Sequence, residues 1–274
     1  MTIFSAIRVV IRGGGDLGSG VAYRLYRAGF PALITELEHP LLVRRAVSFG
    51  SAVFEQKISV EGVTAHRADS LEEVLEYQLA GVIPVVVDPD GTMLASYQPL
   101  VLVDARMLKA APGPAPVESE FTIGLGPGFS APENCDAVIE TNRGHDLGRV
   151  IWQGTAEPDS NIPGKVLDKE SQRVLRAPVS GVVRAIASVG AQVKEGEILA
   201  EVEGHSLTAS FPGVLRGLIP DGTWVPAGMK IGDLDPRAKT RYAFTISDKA
   251  LAVGGGVLEA ILSSRAVVER LQSV

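Results

Sequence analysis

The chain has 274 residues and a formal net charge of −6, with 46% apolar, 5% aromatic and 21% charged residues. That apolar content supports a real core, while the acidic balance and scarce aromatics exclude a general nucleic-acid binder, which needs a basic stripe or stacking rings. The single cysteine, Cys135, excludes an intrachain disulfide framework and fits a reducing cytoplasm.

The N-terminus, MTIFSAIRVVIRGGG, shows no secretory leader. The longest apolar runs, such as LAGVIPVVV, reach about half of the ~20 residues a membrane helix needs. A cytoplasmic protein away from membranes is expected.

The run ending in VVI before Gly13 reads as a buried parallel strand. A glycine loop follows, and Ser19–Gly29 reads as a helix with Val21, Ala22, Leu25 and Ala28 on one face. Ala32–Thr35 is a second strand that runs into Glu36. Gly13, Gly15 and Gly18 match G-x-G-x-x-G, and an acid follows about 20 residues on. In that fingerprint the glycines permit a tight turn, close approach of a pyrophosphate and close helix packing, and the acid accepts from a ribose hydroxyl. Gly13, Gly14, Gly15, Asp16, Leu17, Gly18 and Glu36 are therefore candidate nucleotide-binding residues. Asp16 is out of place beside a pyrophosphate and suits the start of the following helix better. Arg44 and Arg45 could meet a 2′-phosphate, although a solvated helix face is the plainer reading.

Ser70-Leu-Glu-Glu73 is a capping box opening a helix that runs to about Ala80. Val82–Val87 is a strand in which Pro84 suggests a place near a sheet edge. Leu100–Val103 is another strand. Asp88 and Asp104 end these two strands, where α/β sheets bind ligands, although each alone fits turn and capping chemistry.

A Pro-rich connector, residues 111–117, leads to strands at Phe121–Leu125 and Cys135–Thr141. Between them Gly124-Leu-Gly126-Pro-Gly128 could form an anion nest, with Gly126 and Gly128 as candidates. In Asn142-Arg143-Gly144-His145-Asp146, Arg143 could grip an anion and His145 could serve as acid or base. The four histidines show no metal-ligand spacing, so no metal site is expected. Cys135 reads as a small buried hydrophobe.

GVVRAIASVGAQVKEG from Gly181 and GVLRGLIPDGTWVPAG from Gly213 align without gaps at an offset of 32. Two such halves of short strands can bury their apolar faces only by interlocking. The repeat resembles the barrel-sandwich-hybrid domain of biotinyl and lipoyl carriers. The joining hairpin Glu203-Gly-His-Ser-Leu207 lacks the lysine those carriers modify, so no biotin or lipoate attachment is expected. Gly254-Gly-Gly256 is expected to open a C-terminal helix, either as another helix-start anion site or only to allow close packing.

Four stretches, IRGGGDLGSGVAYRLYRAGF, TELEHPLLVRRAVSFGSAVFE, GLGPGFSAPENCDAVIETNRGHDLGRVIWQG and ISDKALAVGGGVLEAIL, resemble the YqeB-type family of the selenium-dependent molybdenum hydroxylase maturation system over nearly the full length. The resemblance implies a Rossmann-type domain, a lipoyl-like barrel and a role in preparing or inserting the molybdenum cofactor, with the individual step undefined.

The expected fold is therefore an α/β Rossmann-like parallel-sheet domain, residues 1–110, continued by a middle segment, 111–165. A barrel-sandwich-hybrid domain, 166–238, and a C-terminal helical segment, 239–274, complete it. The expected function is a maturation factor that binds a nucleotide or the molybdenum cofactor, with a molybdenum hydroxylase or other maturation proteins as partners. Its phosphate contacts would be the first glycine loop, the Gly124–Gly128 loop and Arg143. One alternative is an NAD(P)-dependent oxidoreductase, for which His145 and Asp104 are the candidate acid/base residues. The other is a non-catalytic scaffold that docks partners through its barrel. Whether the chain is an enzyme stays open at this level, as do its oligomeric state and the role of Cys135.

Overall fold

The computed structural model describes residues 3–113, 117–158 and 171–273. The chain divides into two compact units. The first comprises Met1–Pro40, Phe49–Asp159 and Ile246–Val274, and the second Leu41–Ser48 and Ser160–Thr245. The expected boundary between residues 165 and 166 lies outside the described residues, as do residues 114–116 of the Pro-rich connector.

In the first unit the buried VVI run forms β1 (Val9–Arg12), and Gly15 leads into α1 (Asp16–Ala28). Asp16 is the acid of the first turn of α1, and Gly29 closes the helix in the left-handed conformation at φ 91°. There follow β2 (Ala32–Glu36), α2 (Ala52–Glu55), β3 (Lys57–Val60) and β4 (Val63–Arg67). The capping box opens α3 (Leu71–Leu79), with the Glu73 N–H donating to Ser70 Oγ at 3.2 Å. Next come β5 (Ile83–Val87), α4 (Thr92–Tyr97), β6 (Val101–Asp104) and β7 (Phe121–Leu125). The short strands β8 (Ser130–Ala131), β9 (Ala137–Ile139), β10 (Val150–Ile151) and β11 (Gly154–Thr155) follow.

The main sheet has nine strands in the order β10-β9-β7-β6-β1-β2-β5-β4-β3, and β8 pairs separately with β11. Six neighbouring pairs are parallel, but β3 runs antiparallel to β4 and β10 antiparallel to β9.

The expectation of a parallel Rossmann-like sheet is thus corrected to a mixed sheet. The reason is local at one edge: Glu61 and Gly62 take φ 48° and 80°, the two-residue turn that folds a strand straight back on its neighbour. Order differs as well. Strand β5 lies beside β2 with β4 outside it, whereas dinucleotide folds place the third parallel strand next to the second. Pro84 therefore sits in an interior strand rather than near an edge. Pairing of β5 with β2 begins at Val85, so the proline stands at the end of that ladder.

Helices α5 (Asp248–Ser263) and α6 (Arg265–Gln272) complete the first unit. Ser247 caps α5, accepting from the Ala250 N–H at 3.1 Å. Gly254–Gly256 consequently lie inside α5 rather than at its start, where backbone N–H groups are already spent on the helix and offer no anion site. Their role is steric. A Cβ on Gly20 would come within 2.4 Å of the Ala250 carbonyl oxygen, and one on Gly254 within 2.5 Å of that of Gly20.

The second unit contains β12 (Val174–Arg176), β13 (Gly181–Ala185), β14 (Gln192–Val193), β15 (Ile198–Val202), β16 (His205–Thr208), β17 (Gly213–Leu218), β18 (Trp224–Val225) and β19 (Lys230–Asp235). They form two four-stranded antiparallel sheets, β12-β19-β17-β14 and β16-β15-β13-β18. Leu175, Val183, Leu199, Val202, Leu215, Leu218, Val225, Ile231 and Leu234 are in their common core. The two repeats begin β13 and β17, one in each sheet.

The expected lipoyl-like barrel over residues 166–238 is corrected to these two antiparallel sheets, completed by residues 41–48. Arg45 Nε donates to the Leu218 carbonyl at 3.2 Å, and a Cβ on Gly217 would come within 2.6 Å of the Val43 carbonyl oxygen. A segment far upstream in sequence therefore packs directly on β17. Among the described residues no single helix is long and apolar enough to cross a membrane.

Candidate functional site

Parallel strands gather their carboxyl ends at one edge, and α/β ligands sit there. The glycine loop at the end of β1 is closed by protein. The Gly13 N–H donates to the Thr35 carbonyl at 2.8 Å, and the Gly14 N–H to Glu36 Oε1 at 2.6 Å. The Gly14 carbonyl accepts from the Gly50 N–H and from Ser19 Oγ, both at 2.9 Å. Ser19 Oγ in turn accepts from the Phe49 N–H at 2.7 Å. A Cβ on Gly14 would meet Gly50 N at 2.7 Å, and one on Gly18 would meet the Gly13 carbonyl oxygen at 1.9 Å. Leu17 is buried. The close backbone approach reserved for a pyrophosphate is occupied here by residues 49–50.

Glu36, expected to meet a ribose, instead holds its own loop, accepting from the N–H groups of Gly14 and Leu37. Burial pushes its carboxyl above the ordinary range, and these two bonds oppose the rise.

The second glycine loop is similarly filled. Gly126 takes φ 83° and its N–H donates to the Ile139 carbonyl at 3.1 Å. A Cβ on Gly128 would come within 2.6 Å of the Leu108 carbonyl oxygen and 2.8 Å of that of Ala110. Arg143 pairs with Asp248 at the start of α5 through two bonds of 2.8 and 2.7 Å. His145 is exposed and lines a cleft of about 610 Å³ with Glu140, Asp146, Arg149 and Glu157. Glu140 there accepts from the N–H groups of Asn142 and Glu157 at 2.6 and 2.7 Å. Cys135 is buried, and desolvation pushes its thiol up to about 11, so it stays protonated at neutral pH. Arg44 and Arg45 belong to the second unit, where Arg44 donates to the Tyr242 and Thr245 carbonyls.

The remaining polar groups of this edge share one face of the sheet. Val10, Leu33, Val86 and Leu102 pack with Val74 of α3 and with Leu94 and Tyr97 of α4. Side chains alternate along a strand. Two residues further on, Arg12, Thr35, Asp88 and Asp104 therefore point to that same face. Arg12 is in register with both Thr35 and Asp104.

Asp88 caps α4, accepting from the N–H groups of Thr92, Met93 and Leu94 at 2.8, 3.1 and 3.3 Å. Asp104 receives the fork of Arg106, Nε to Oδ1 at 2.9 Å and Nη2 to Oδ2 at 2.6 Å. Arg12 reaches the same carboxylate at only 3.7 Å, with 11% of its side chain exposed. Burial is the largest influence on Arg12 and lowers its pKa. The positive Arg106 lowers it further, while Asp104 and Asp88 raise it.

Among the described residues the Arg12 guanidinium makes no hydrogen bond, and 3.7 Å to Asp104 is its only ion-pair distance. Two arginines thus face one carboxylate at the end of the central strands, and the better buried one keeps its N–H donors unspent. Of the residues expected from sequence, only Asp104 and Asp88 lie in this group. Arg12 and Arg106 were missed. The available signal was a cation ending a buried apolar strand, since such a charge needs a partner. Among the described residues no group of three or more His, Cys, Asp or Glu side chains could hold a metal ion.

No protein-family model matches the chain. It is 47% identical over 254 residues to the uncharacterized protein YqeB of Escherichia coli (strain K12), covering 93% of this chain and 47% of that protein. The chain therefore spans about half the length of this curated relative. Among solved structures it has a likeness to an aspartoacylase family protein from Mesorhizobium loti, at 12% identity, 83% and 84% coverage of the two chains and a TM-score of 0.29. Another is to a succinylglutamate desuccinylase from Silicibacter sp. TM1040, at 12% identity, 85% and 86% coverage and a TM-score of 0.26. Such low scores transfer no activity.

The likeness to YqeB stands, and the function expected from it is corrected. The YqeB relative is itself described as uncharacterized. The glycine loop on which nucleotide or cofactor binding rested is filled by protein.

Proposed function

We propose that this YqeB-like chain binds a small molecule bearing a carboxylate or similar planar oxyanion at the carboxyl edge of its mixed sheet. The observation that carries the reading is Arg12, mostly buried, with no hydrogen bond among the described residues and a carboxylate at 3.7 Å already taken by Arg106. A guanidinium presents a planar fork of donors that matches a carboxylate. In a partly desolvated site such charge-assisted bonds are about twice as strong as neutral ones. Arg12 would grip the oxyanion. Arg106, held in place by Asp104, would add positive field from the neighbouring strand. A cytoplasmic setting is in keeping with the single buried Cys135.

The test is calorimetric titration of the full chain with a panel of small mono- and dicarboxylates. Arg12→Met is expected to weaken binding about ten-fold or more, the scale of a charged hydrogen bond. Equal affinity in the wild type and Arg12→Met would overturn the proposal.

A further inference from the structure

In the second unit β19 runs into the segment DPRAKTRYAFT, residues 235–245. Three cations surround its one tyrosine. The Arg237 and Arg241 guanidinium carbons lie 4.3 and 4.8 Å from the centre of the Tyr242 ring, and Lys239 Nζ lies 5.5 Å from it. The cluster is anchored from below. Asp235, fully buried, accepts the Arg237 fork at 2.9 and 2.6 Å. Buried Arg44 donates to the Tyr242 and Thr245 carbonyls at 2.8 and 3.2 Å. The Phe244 ring lies over Gly190, where a Cβ would come within 2.6 Å.

Charge here is unbalanced. Asp233 and Asp235 are shared among Arg173, Arg216 and Arg237. Lys239 and Arg241 have no carboxylate partner among the described residues. Among the described residues, Lys239 and Arg241 thus add two cations beside Arg237 with no carboxylate of their own. Like charges held this close repel one another, and a multiply charged oxyanion would relieve that repulsion. Phosphate suits the donor set: the guanidinium fork of Arg241, a point charge from Lys239 and a phenol hydroxyl, beside the positive charge of Arg237.

We propose that Arg237, Lys239, Arg241 and Tyr242 form a binding site for a phosphate-bearing small molecule. This site is independent of the carboxylate site of the first unit. Arg237 is pre-set by Asp235, Arg241 and Lys239 supply the uncompensated charge, and Tyr242 holds the cations around one ring. The bond from Lys239 also holds the Tyr242 phenol below its ordinary pKa, so an arriving anion should move it back up.

Inorganic pyrophosphate, titrated into the full chain at constant ionic strength, is the probe. Saturable binding is expected, weakened about ten-fold or more by the double variant Lys239→Gln/Arg241→Gln, since each loses a charge-assisted bond. Arg184→Gln, an exposed arginine paired with Glu201 on the other sheet, should leave binding unchanged. Tyrosinate absorbance should shift to higher pH when pyrophosphate is bound, and Tyr242→Phe should abolish that shift. Absence of saturable binding, or equal weakening by Arg184→Gln, would overturn the proposal by showing diffuse charge. Tighter binding of a poly-glutamate peptide than of pyrophosphate would overturn it in favour of an acidic protein partner.

Discussion

Arg12 and Arg106 touch the same buried carboxylate, yet their removal should have opposite consequences. Arg12 stands 3.7 Å from Asp104. At an effective dielectric constant of ~20 the gross attraction is about 4.5 kcal/mol. Desolvation opposes it and is the largest influence on the Arg12 pKa. Replacing Arg12 by Met leaves Asp104 in the full fork of Arg106, so no buried charge is orphaned. The expected change in folding free energy is within about 1 kcal/mol of the wild type, in the stabilising direction. Arg106→Met takes that fork away from a carboxylate only 6% exposed and leaves it the backbone N–H of residue 106 at 3.2 Å and the distant Arg12. Orphaning a buried charge costs about 3–5 kcal/mol, which the 35% exposure of the Arg106 side chain reduces to about 2–3 kcal/mol. Urea denaturation followed by circular dichroism measures both. If Arg12→Met costs as much as Arg106→Met, Arg12 is a structural counter-ion, and the carboxylate-binding role assigned to it falls.

Glu36 makes stability depend on pH. Its folded pKa is raised by burial, so between the ordinary glutamate value of about 4.3 and that higher value the folded state holds more protons than the unfolded. Stability should therefore fall as pH rises through this window. Glu36→Gln should remove this slope, and urea midpoints across a pH series that coincide in shape for both proteins would contradict the assignment. Gly20→Ala places a methyl 2.4 Å from the Ala250 carbonyl oxygen. The crossing of α1 and α5 must open, at a cost of about 1–3 kcal/mol. An unchanged or higher melting temperature would show that the helices yield freely.

Local structure was legible where one segment decides it. The VVI strand, the helix closed by Gly29, the Ser70 capping box and the paired repeats of the second unit all follow from burial, backbone freedom and periodicity within a short window. The glycine fingerprint was also legible as a turn between strand and helix. Its meaning was not, because the same small residues that admit a pyrophosphate admit another stretch of backbone. In this chain Phe49 and Gly50 come from about 35 residues away to fill the space. Gly254–Gly256 repeats the lesson: a glycine run reads as a helix start, but contact with α1 makes it the close-packed middle of α5.

The sequence by itself determined which residues are apolar, which turns need glycine and which helices carry caps, since these depend on covalent chemistry and near neighbours. Only the tertiary structure decided which charges meet. Arg12 and Asp104 lie on neighbouring strands that the parallel register aligns, with Arg106 just past the end of β6, and Arg44 reaches carbonyls about 200 residues away in the chain. Electrostatic energy depends on distance and burial in space, neither of which is written in the order of residues along the chain.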